Sequence, residues 1–462
     1  MPATQLPPGP KASPIMQTVQ WLKDPLAFME TCRQQYGDIF TVKIGPLFTH
    51  QVFISHPRAI QEIFATDPKY LDSGAEAGIR SPLLGKQSLL TIAGEPHRRQ
   101  RRLLTPPLHG ERLTAYGELI RELTLNATQT WAIGDHLIAY PLMQQISFQI
   151  ILKAVFGLQE GVRAKALQTL LLAQLNPKQP LIQGLLFLFP VLQRDLGAWS
   201  PWGRFLHKLK AIDELIYAEI QERRSQPDGD RSDILSLMMA ARDEAGEPMS
   251  DVELRDELMT LLIAGHETTA TMLAWAMYWI HSLPHVYERL QQELETLDNT
   301  ADLNAIMRLP YLNAICQETF RIYPVAMLAL NRVVKAPIDI MGHHFEPGTL
   351  LVPCIYLTHH RDDLYPEPKQ FKPERFLEHS FAPYEYLPFG GSNRRCIGMA
   401  FAQFEMKLVL VTLLQHWKFA LADDQPVQAA RGGALLRPKG GVPLVVIGKR
   451  SRQSVALEPS LS

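Results

Sequence analysis

The sequence predicts a mainly helical chain with a small β part, an α+β fold, and three observations predict it. Strand-like runs sit toward the two ends: IFTVKI (39–44) and QVFIS (51–55) early, and segments 332–356 and 434–447 late. Helical periodicity fills nearly everything between them. One helix is marked without interruption from Ser250 to Leu283. Together these predict one small sheet, closed by distant segments and packed beside a large helical body.

Taken in order, Pro2, Pro7, Pro8, Pro10 and Pro14 make residues 1–14 an extended, semi-rigid arm. Gly45-Pro46 separates the first two strand runs, which therefore read as a hairpin. Gly94-Glu-Pro96 opens a helix with proline in its first turn, and along it His97 and Arg101, four apart, face one way. Arg98 and Arg102 then point to the outer surface. Segment 175–204 is an irregular insert in which Leu181, Leu185, Phe187, Phe189, Trp199 and Trp202 concentrate apolar surface. It reads either as a loop packed on the core or as a substrate-entry lid or membrane-touching patch.

The long helix starts at a capping-box sequence, Ser250-Asp-Val-Glu253, and proline stops it at Leu283-Pro284, a span of about 50 Å. It is apolar nearly all round from Leu258 to Ile263 and from Met272 to Ile280, so it is expected to be buried. Its middle is different. Ala264-Gly265-His266-Glu267-Thr268-Thr269 sets a helix-weakening glycine beside an acid and two hydroxyls. On their own, Thr268 and Thr269 read as bonding back to carbonyls one turn earlier. A later helix opens after Pro310, stops before Pro324 and carries Glu318 and Arg321 on one face; alone this reads as a surface ion pair. No internal repeat, low-complexity tract or Gly/Ser linker interrupts 15–450, which reads as one domain followed by a tail, 451–462.

Lys plus Arg number 46 against 47 Asp plus Glu, a net charge of −1, so no whole-molecule field draws the chain to nucleic acid. The four cysteines, Cys32, Cys316, Cys354 and Cys396, form no C-x-x-C pair, which predicts reduced thiols in a cytoplasmic protein. The first residues lack the basic and apolar regions of a secretory signal. The longest apolar approach, LLFLFPVL at 185–192, is too short to cross a bilayer, so no transmembrane anchor is expected.

The chemistry gathers at Cys396. It stands in Phe389-Gly390-Gly391-Ser392-Asn393-Arg394-Arg395-Cys396-Ile397-Gly398, directly before a helix-like run, where the positive dipole end favours thiolate. Phe389, Arg394, Cys396 and Gly398 at these offsets resemble the haem-binding loop of the cytochrome P-450 family, the haem-thiolate monooxygenases. One position departs: four before the cysteine, the usual glycine is Ser392. Three more segments resemble that family in the expected order: Ala264–Thr268, Glu318-Thr-Phe-Arg321 and Phe371-Lys-Pro-Glu-Arg375-Phe376. Within the family, the loop and the AGHETT helix look closest to the retinoic-acid-hydroxylating branch and its soluble bacterial members.

The resemblance implies haem b with Cys396 as axial thiolate ligand, buried between the long helix and the cysteine loop. It implies that Glu267 and Thr268 open the helix and deliver protons to dioxygen, and that Glu318, Arg321 and Arg375 form a structural network. It also implies propionate contacts from His97 and Arg101, with Arg332 and Arg394 as further candidates. Ala264, Val325, Ala326, Met327 and Leu328 are expected to line an apolar pocket, with Arg80 facing a substrate carboxylate. No flavin or nicotinamide fingerprint occurs, so electrons are expected from a ferredoxin- or flavodoxin-type donor meeting Arg98, Arg102 and Arg395. The expected state is a soluble monomer, and the expected substrate an apolar small molecule, possible retinoids included. Two rivals stay open: a haem-thiolate isomerase or peroxygenase, against which Glu267 and Thr268 argue, and a non-enzymatic haem sensor.

Overall fold

A computed structural model describes residues 6–45, 49–73, 82–110, 112–157, 161–175, 193–225, 231–297, 302–432 and 435–450. Helices α1 (Pro14–Lys23), α2 (Pro25–Tyr36) and α3 (Pro57–Ala65) each open on proline. Ser13, Asp24 and His56 stand before them, and their side chains accept the freed N–H of Met16, Ala27 and Arg58. The helical body continues with α4 (Gly94–Leu104), α5 (Arg112–Asn126), α6 (Ala139–Phe156), α7 (Val162–Leu175), α8 (Pro201–Ser225) and α9 (Ile234–Ala240). Then come the long α10 (Asp251–Ser282), α11 (Pro284–Glu295), α12 (Leu303–Met307) and α13 (Pro310–Ile322). Two short helices, α14 (Ile355–His359) and α15 (Arg375–Glu378), lead to α16 (Met399–His416).

The capping box at the start of α10 is formed in both directions, and the helix runs unbroken for 32 residues. Its apolar circumference does bury it: Leu258, Leu262, Leu273, Trp275, Ala276 and Met277 are inaccessible, packed with α6 and α16 in the main core. The expected early hairpin is β1 (Ile39–Ile44) against β2 (Thr49–Ile54). It joins β3 (Leu71–Asp72), β5 (Arg332–Val334) and β8 (Leu350–Pro353) in a five-stranded sheet of order β1-β2-β8-β5-β3, with β2 and β8 parallel.

The expectation of one sheet is corrected. The C-terminal segment pairs elsewhere: β12 (Pro443–Lys449) lies between β4 (His136–Ile138) and β9 (Trp417–Leu421), while β10 (Ala429–Gly432) pairs with β11 (Leu435–Pro438). A further two-stranded ladder joins β6 (Ile338–Ile340) to β7 (His343–Phe345). Period-two patterning marks a strand without naming its partner, which is why the merging of distant strands into one sheet was misjudged.

Residues 6–13 of the proline-rich arm lie on the body. Leu6 packs on a core cluster, and the Pro8 carbonyl accepts the Thr41 N–H at 3.0 Å on the outer edge of β1. Gly9 sits so close that a Cβ there would be 1.8 Å from the Thr41 oxygen. Of the apolar insert, residues 176–192, including Leu181, Leu185, Phe187 and Phe189, lie outside the described residues, as does Arg80. Trp202 is buried and stacks on Phe205, whereas Trp199 is 94% exposed. No helix among the described residues is long and apolar enough to cross a membrane.

Candidate active site

Cys396 sits two residues before Gly398, the cap of α16, at the end of a tight loop. The Cys396 N–H donates to the Phe389 carbonyl at 2.9 Å, and the Gly390 N–H to the Leu387 carbonyl at 2.9 Å. Gly391 abuts Phe64, and a Cβ there would meet the ring at 2.2 Å. Ser392, the residue that replaces the usual glycine, has φ +58°, in the left-handed region that only glycine enters freely.

The thiol of Cys396 is surrounded by protein, yet its surface is open. The two descriptions agree if the sulfur faces an interior space: many atoms stand around it and few touch it. Burial pushes its pKa up, while the Gly398 N–H, Arg101 and Arg395 pull the other way. The N–H of Gly398 at the helix end thus favours thiolate, in the direction the sequence predicts, and burial opposes it; a bound metal cation would add to the stabilisation of thiolate. Cys32, Cys316 and Cys354 are buried and free.

In the middle of the largely buried α10, Ala264 is exposed and Gly265, Glu267 and Thr268 are partly so. A helix buried on all sides shows open surface in its centre only where it borders a cavity. The Thr268 hydroxyl donates to the Ala264 carbonyl at 2.5 Å, Thr269 to Gly265 at 3.0 Å and Thr271 to Glu267 at 2.7 Å. The back-bonded reading of these threonines is therefore realised, and the helix is not opened. Back-bonding spends the hydroxyl proton and leaves the oxygen lone pairs to accept.

Glu267 turns to α6 and the C-terminal hairpin. Its Oε1 accepts from the Tyr140 hydroxyl at 3.1 Å and lies 3.8 Å from Arg437; Gln144 donates in turn to the Tyr140 oxygen at 3.1 Å. Glu267 and Arg437 are both partly open to solvent. Nothing in the local sequence around Tyr140, Gln144 or Arg437 signalled this meeting, since they approach from elements far apart in the chain.

Four cationic or basic groups converge nearby. His97 is buried, and burial first, then the charges of Arg394, Arg101 and Arg332, lower its pKa to about 3. Arg332, behind Phe64, and Arg394 are lowered to about 10, chiefly by burial and then by Arg394 and Arg101 respectively, against the pull of Asp72. Among the described residues no ion pair joins Arg101, Arg332 or Arg394 to a carboxylate, Asp72 acting on the last two from beyond pairing distance, so the cluster carries more positive than negative charge. Two propionate groups fit that charge, an open thiol fits an iron, and the apolar wall of α10 fits a flat macrocycle between them.

Arg394 is largely committed elsewhere. It donates to Ser73 Oγ (2.7 Å), the Ser73 carbonyl, and the carbonyls of Leu89 (2.8 Å) and Ile92 (2.6 Å), pinning the cysteine loop to the segment before α4. That segment is anchored on the first turns of α10, where Asp256 accepts the Gln87 N–H (2.8 Å), Glu257 the Leu89 N–H (2.7 Å), and Thr260 bonds Ser88 (2.7 Å). The sequence held a signal for this that was missed: two adjacent acids and a threonine facing an apolar environment on a buried helix.

The Glu318, Arg321 and Arg375 network is formed and buried. Arg321 pairs with Glu318 at 2.6 and 2.8 Å, Arg375 reaches Glu318 at 3.2 Å, and the Lys372 N–H adds a bond at 2.8 Å. On the pocket side, Val325 and Ala326 are partly open and are bridged by β11, with the Leu436 N–H donating to the Val325 carbonyl. Trp275 also donates to the Leu436 carbonyl at 3.2 Å. Met327 is corrected: it is buried in the core beside Trp21, Phe28 and Phe53, on the sheet side, and Leu328 packs there too. Arg98 and Arg102 do reach the surface, but Arg98 pairs with Glu95 at 2.5 Å and Arg102 with Glu95 at 3.5 Å and with Glu244, so the expected basic patch is largely compensated. Arg395 is exposed.

An open thiol on a glycine-rich loop, a long helix with a hydroxyl-bearing centre and an anion-seeking cluster define a haem-thiolate oxygenase. The profile described as cytochrome P450 matches residues 7–445. This chain belongs to the cytochrome P450 family, monooxygenases that carry haem b on a cysteine thiolate. It is similar to cytochrome P450 135B1 of Mycobacterium bovis, 36% identical over 415 residues that cover 89% of this chain and 85% of that protein. It is 33% identical to cytochrome P450 135A1 of Mycobacterium tuberculosis over 420 residues, 91% of this chain and 90% of the relative. Among solved structures, retinoic acid bound cyanobacterial CYP120A1 superimposes with a TM-score of 0.82 at 27% identity, covering 97% of this chain and 100% of that one. The cytochrome P450DA heme domain shares the fold, with a TM-score of 0.80 at 22% identity over 96% of this chain and 98% of that one.

Proposed function

We propose that this monooxygenase hydroxylates an apolar small molecule, a retinoid such as retinoic acid, using dioxygen and electrons from a separate ferredoxin- or flavodoxin-type protein. Haem bound to a thiolate supplies dioxygen activation and insertion of one oxygen atom into a C–H bond. Cys396 would hold the iron, with Phe389 beside it, and His97, Arg101 and Arg332 would meet the propionates, with Arg394 chiefly bracing the loop. Thr268 offers an acceptor to a water at the open face of α10. Glu267, held between Tyr140 and Arg437 at the edge of solvent, would pass protons inward from that water-accessible position. Ala264, Val325 and Ala326 would exclude water and orient the substrate. Residues 15–450 form the single catalytic domain in this reading, with the described part of arm 1–14 laid against it, in a cytoplasmic monomer.

The observation that carries the proposal is an exposed Cys396 on its glycine-rich loop together with an exposed centre in the largely buried α10. The retinoid reading is supported by the retinoic acid bound in the CYP120A1 structure and by the AGHETT sequence. Ferrous protein with carbon monoxide is expected to show the red-shifted Soret band of thiolate ligation, and Cys396→Ala to lose it. Retinoids are expected to shift the ferric spectrum on binding; shifts by small polar compounds and none by retinoids would reject that substrate class. In Thr268→Ala, haem and substrate binding are expected to survive while reducing equivalents drain to peroxide and water.

A further inference from the structure

His359 ends α14 and is inaccessible to solvent, and no step above uses it. Its carbonyl accepts Arg321 Nη1 at 2.8 Å, its Nδ1 lies 3.3 Å from the Arg321 carbonyl, and its Nε2 lies 2.9 Å from the Leu387 backbone nitrogen. A backbone N–H only donates, so Nε2 must be the unprotonated acceptor, and the ring proton belongs on Nδ1, facing the Arg321 oxygen. Burial, reinforced by the Arg321 charge, holds the imidazole well below its usual range and keeps it neutral. Tyr386 lies nearly parallel to the ring at 5.5 Å and Tyr365 stands edge-on at 6.2 Å. The tyrosine hydroxyls are themselves tied to the carbonyls of Gln317 and Glu385.

From Leu387 the bonding runs onward. The Leu387 carbonyl holds the Gly390 N–H, and the Phe389 carbonyl holds the Cys396 N–H, each at 2.9 Å. The buried Glu318–Arg321–Arg375 network and the cysteine loop are thus joined at Leu387 by the His359 ring nitrogen, beside the Tyr386 hydroxyl on the Gln317 carbonyl and the contact of Phe320 with Phe389. We infer that His359 is a positioning residue for Cys396: by accepting the Leu387 N–H it extends the rigidity of the arginine network into the loop and sets the direction of the sulfur. A histidine that only filled space would need its volume and not an acceptor at one ring atom. The inference rests on Cys396 being the iron ligand.

The test compares the full-length, haem-loaded wild type with His359→Gln, whose Oε1 can stand near the Nε2 position, and His359→Phe, which keeps a ring and removes the acceptor. Amide hydrogen exchange of segment 386–397 and the thiolate-type band of the ferrous carbon monoxide complex are read in each. In H359F, exchange at Leu387, Gly390 and Cys396 is expected to rise about tenfold, the worth of one buried hydrogen bond, with part of the band moving to the thiol-ligated position. H359Q is expected to stay within about twofold of wild type, and α10 to exchange equally in all three. Equal loop exchange in H359F and wild type overturns the inference, as does an equal loss in H359F and H359Q, which would mark simple packing. Should H359F not fold, the ring nitrogen resonances of His359 in the wild-type ferrous carbon monoxide complex decide: an unprotonated Nε2 through neutral pH upholds the inference and a protonated Nε2 overturns it. A Cys396→Ala protein that retained the thiolate band would refute the ligand reading alone, leaving the exchange result to stand by itself.

Discussion

Tyr140 and Glu267 meet across 127 positions of sequence through one hydrogen bond, the phenol donating to Oε1 at 3.1 Å. The hydroxyl of neighbouring Thr268 donates instead to the Ala264 carbonyl. The acid and the alcohol are adjacent in the chain but are held by different parts of the fold.

Removing the phenol leaves the carboxylate with Arg437 at 3.8 Å as its remaining partner. Tyr140→Phe is expected to keep haem content and substrate affinity while lowering coupled product formation about threefold to tenfold, in line with one hydrogen bond to a charged group. Glu267→Gln should fall further, by roughly a hundredfold, if it moves protons. Product and peroxide measured against electron donor consumed give the coupling, and full coupling in Y140F would remove Tyr140 from the proton route.

Ser392 occupies a left-handed backbone conformation with φ +58°. Relief of that strain, on the order of 1–2 kcal/mol, outweighs the extra chain entropy of glycine, on the order of 0.5–1 kcal/mol. Ser392→Gly is therefore expected to stabilise the protein by roughly 0.5–1 kcal/mol. Denaturant unfolding measures it, and a lower midpoint would show that the serine side chain contributes more than the strain costs.

Glu405 on α16 is buried, and burial pushes its carboxyl up to about 8. The folded protein therefore keeps a proton that the unfolded chain releases from about pH 4.5 upward. This group's contribution is fully present below that pH and is lost as pH rises through about 8, at up to about 1.4 kcal/mol per unit. Glu405→Gln cannot ionise. The stability difference between variant and wild type is expected to grow in the variant's favour from pH 5 to pH 8, and a constant difference would show that Glu405 is already ionised at pH 5.

Because Glu95 and Glu244 compensate Arg98 and Arg102, the exposed Arg395 is the better candidate for steering an acidic electron donor. Arg395→Glu is expected to slow reduction by an acidic ferredoxin about threefold to tenfold at low salt, and Arg98→Glu/Arg102→Glu to slow it less. Stopped-flow reduction across a salt series checks this. Equal rates in all three proteins would remove electrostatic steering from this face.

The parts legible in the sequence are those whose physics is local. The capping box of α10, its apolar circumference and the opening of α4 at Gly94 stand in the structure as the residues predict, whereas Pro14, read as part of the extended arm, begins α1. The cysteine loop was legible as a spacing, because Phe389, Arg394 and Cys396 act within one turn of chain. Long-range choices were not. Which strand β12 joins, that Met327 turns to the sheet core and that Arg102 finds Glu244 depend on packing between surfaces, which periodicity does not encode. The Cys396 thiol illustrates the same limit: the helix end was visible in sequence, whereas the depth of burial that outweighs it was a property of the whole fold.

The parallel pairing of β2 with β8 carries a consequence for synthesis on the ribosome. Ile54 is paired with Pro353, so at roughly 5–20 residues per second about 15–60 seconds separate the emergence of the two strands. Throughout that interval the nascent hairpin has an unfinished edge on β2, the kind of template that recruits other chains. Its opposite edge is guarded from the start: the arm that places Pro8 on Thr41 leaves the tunnel before β1 does. The arm, made before β1, thus covers one of the hairpin's two edges during the interval, and chaperone dependence should fall on the β2 side.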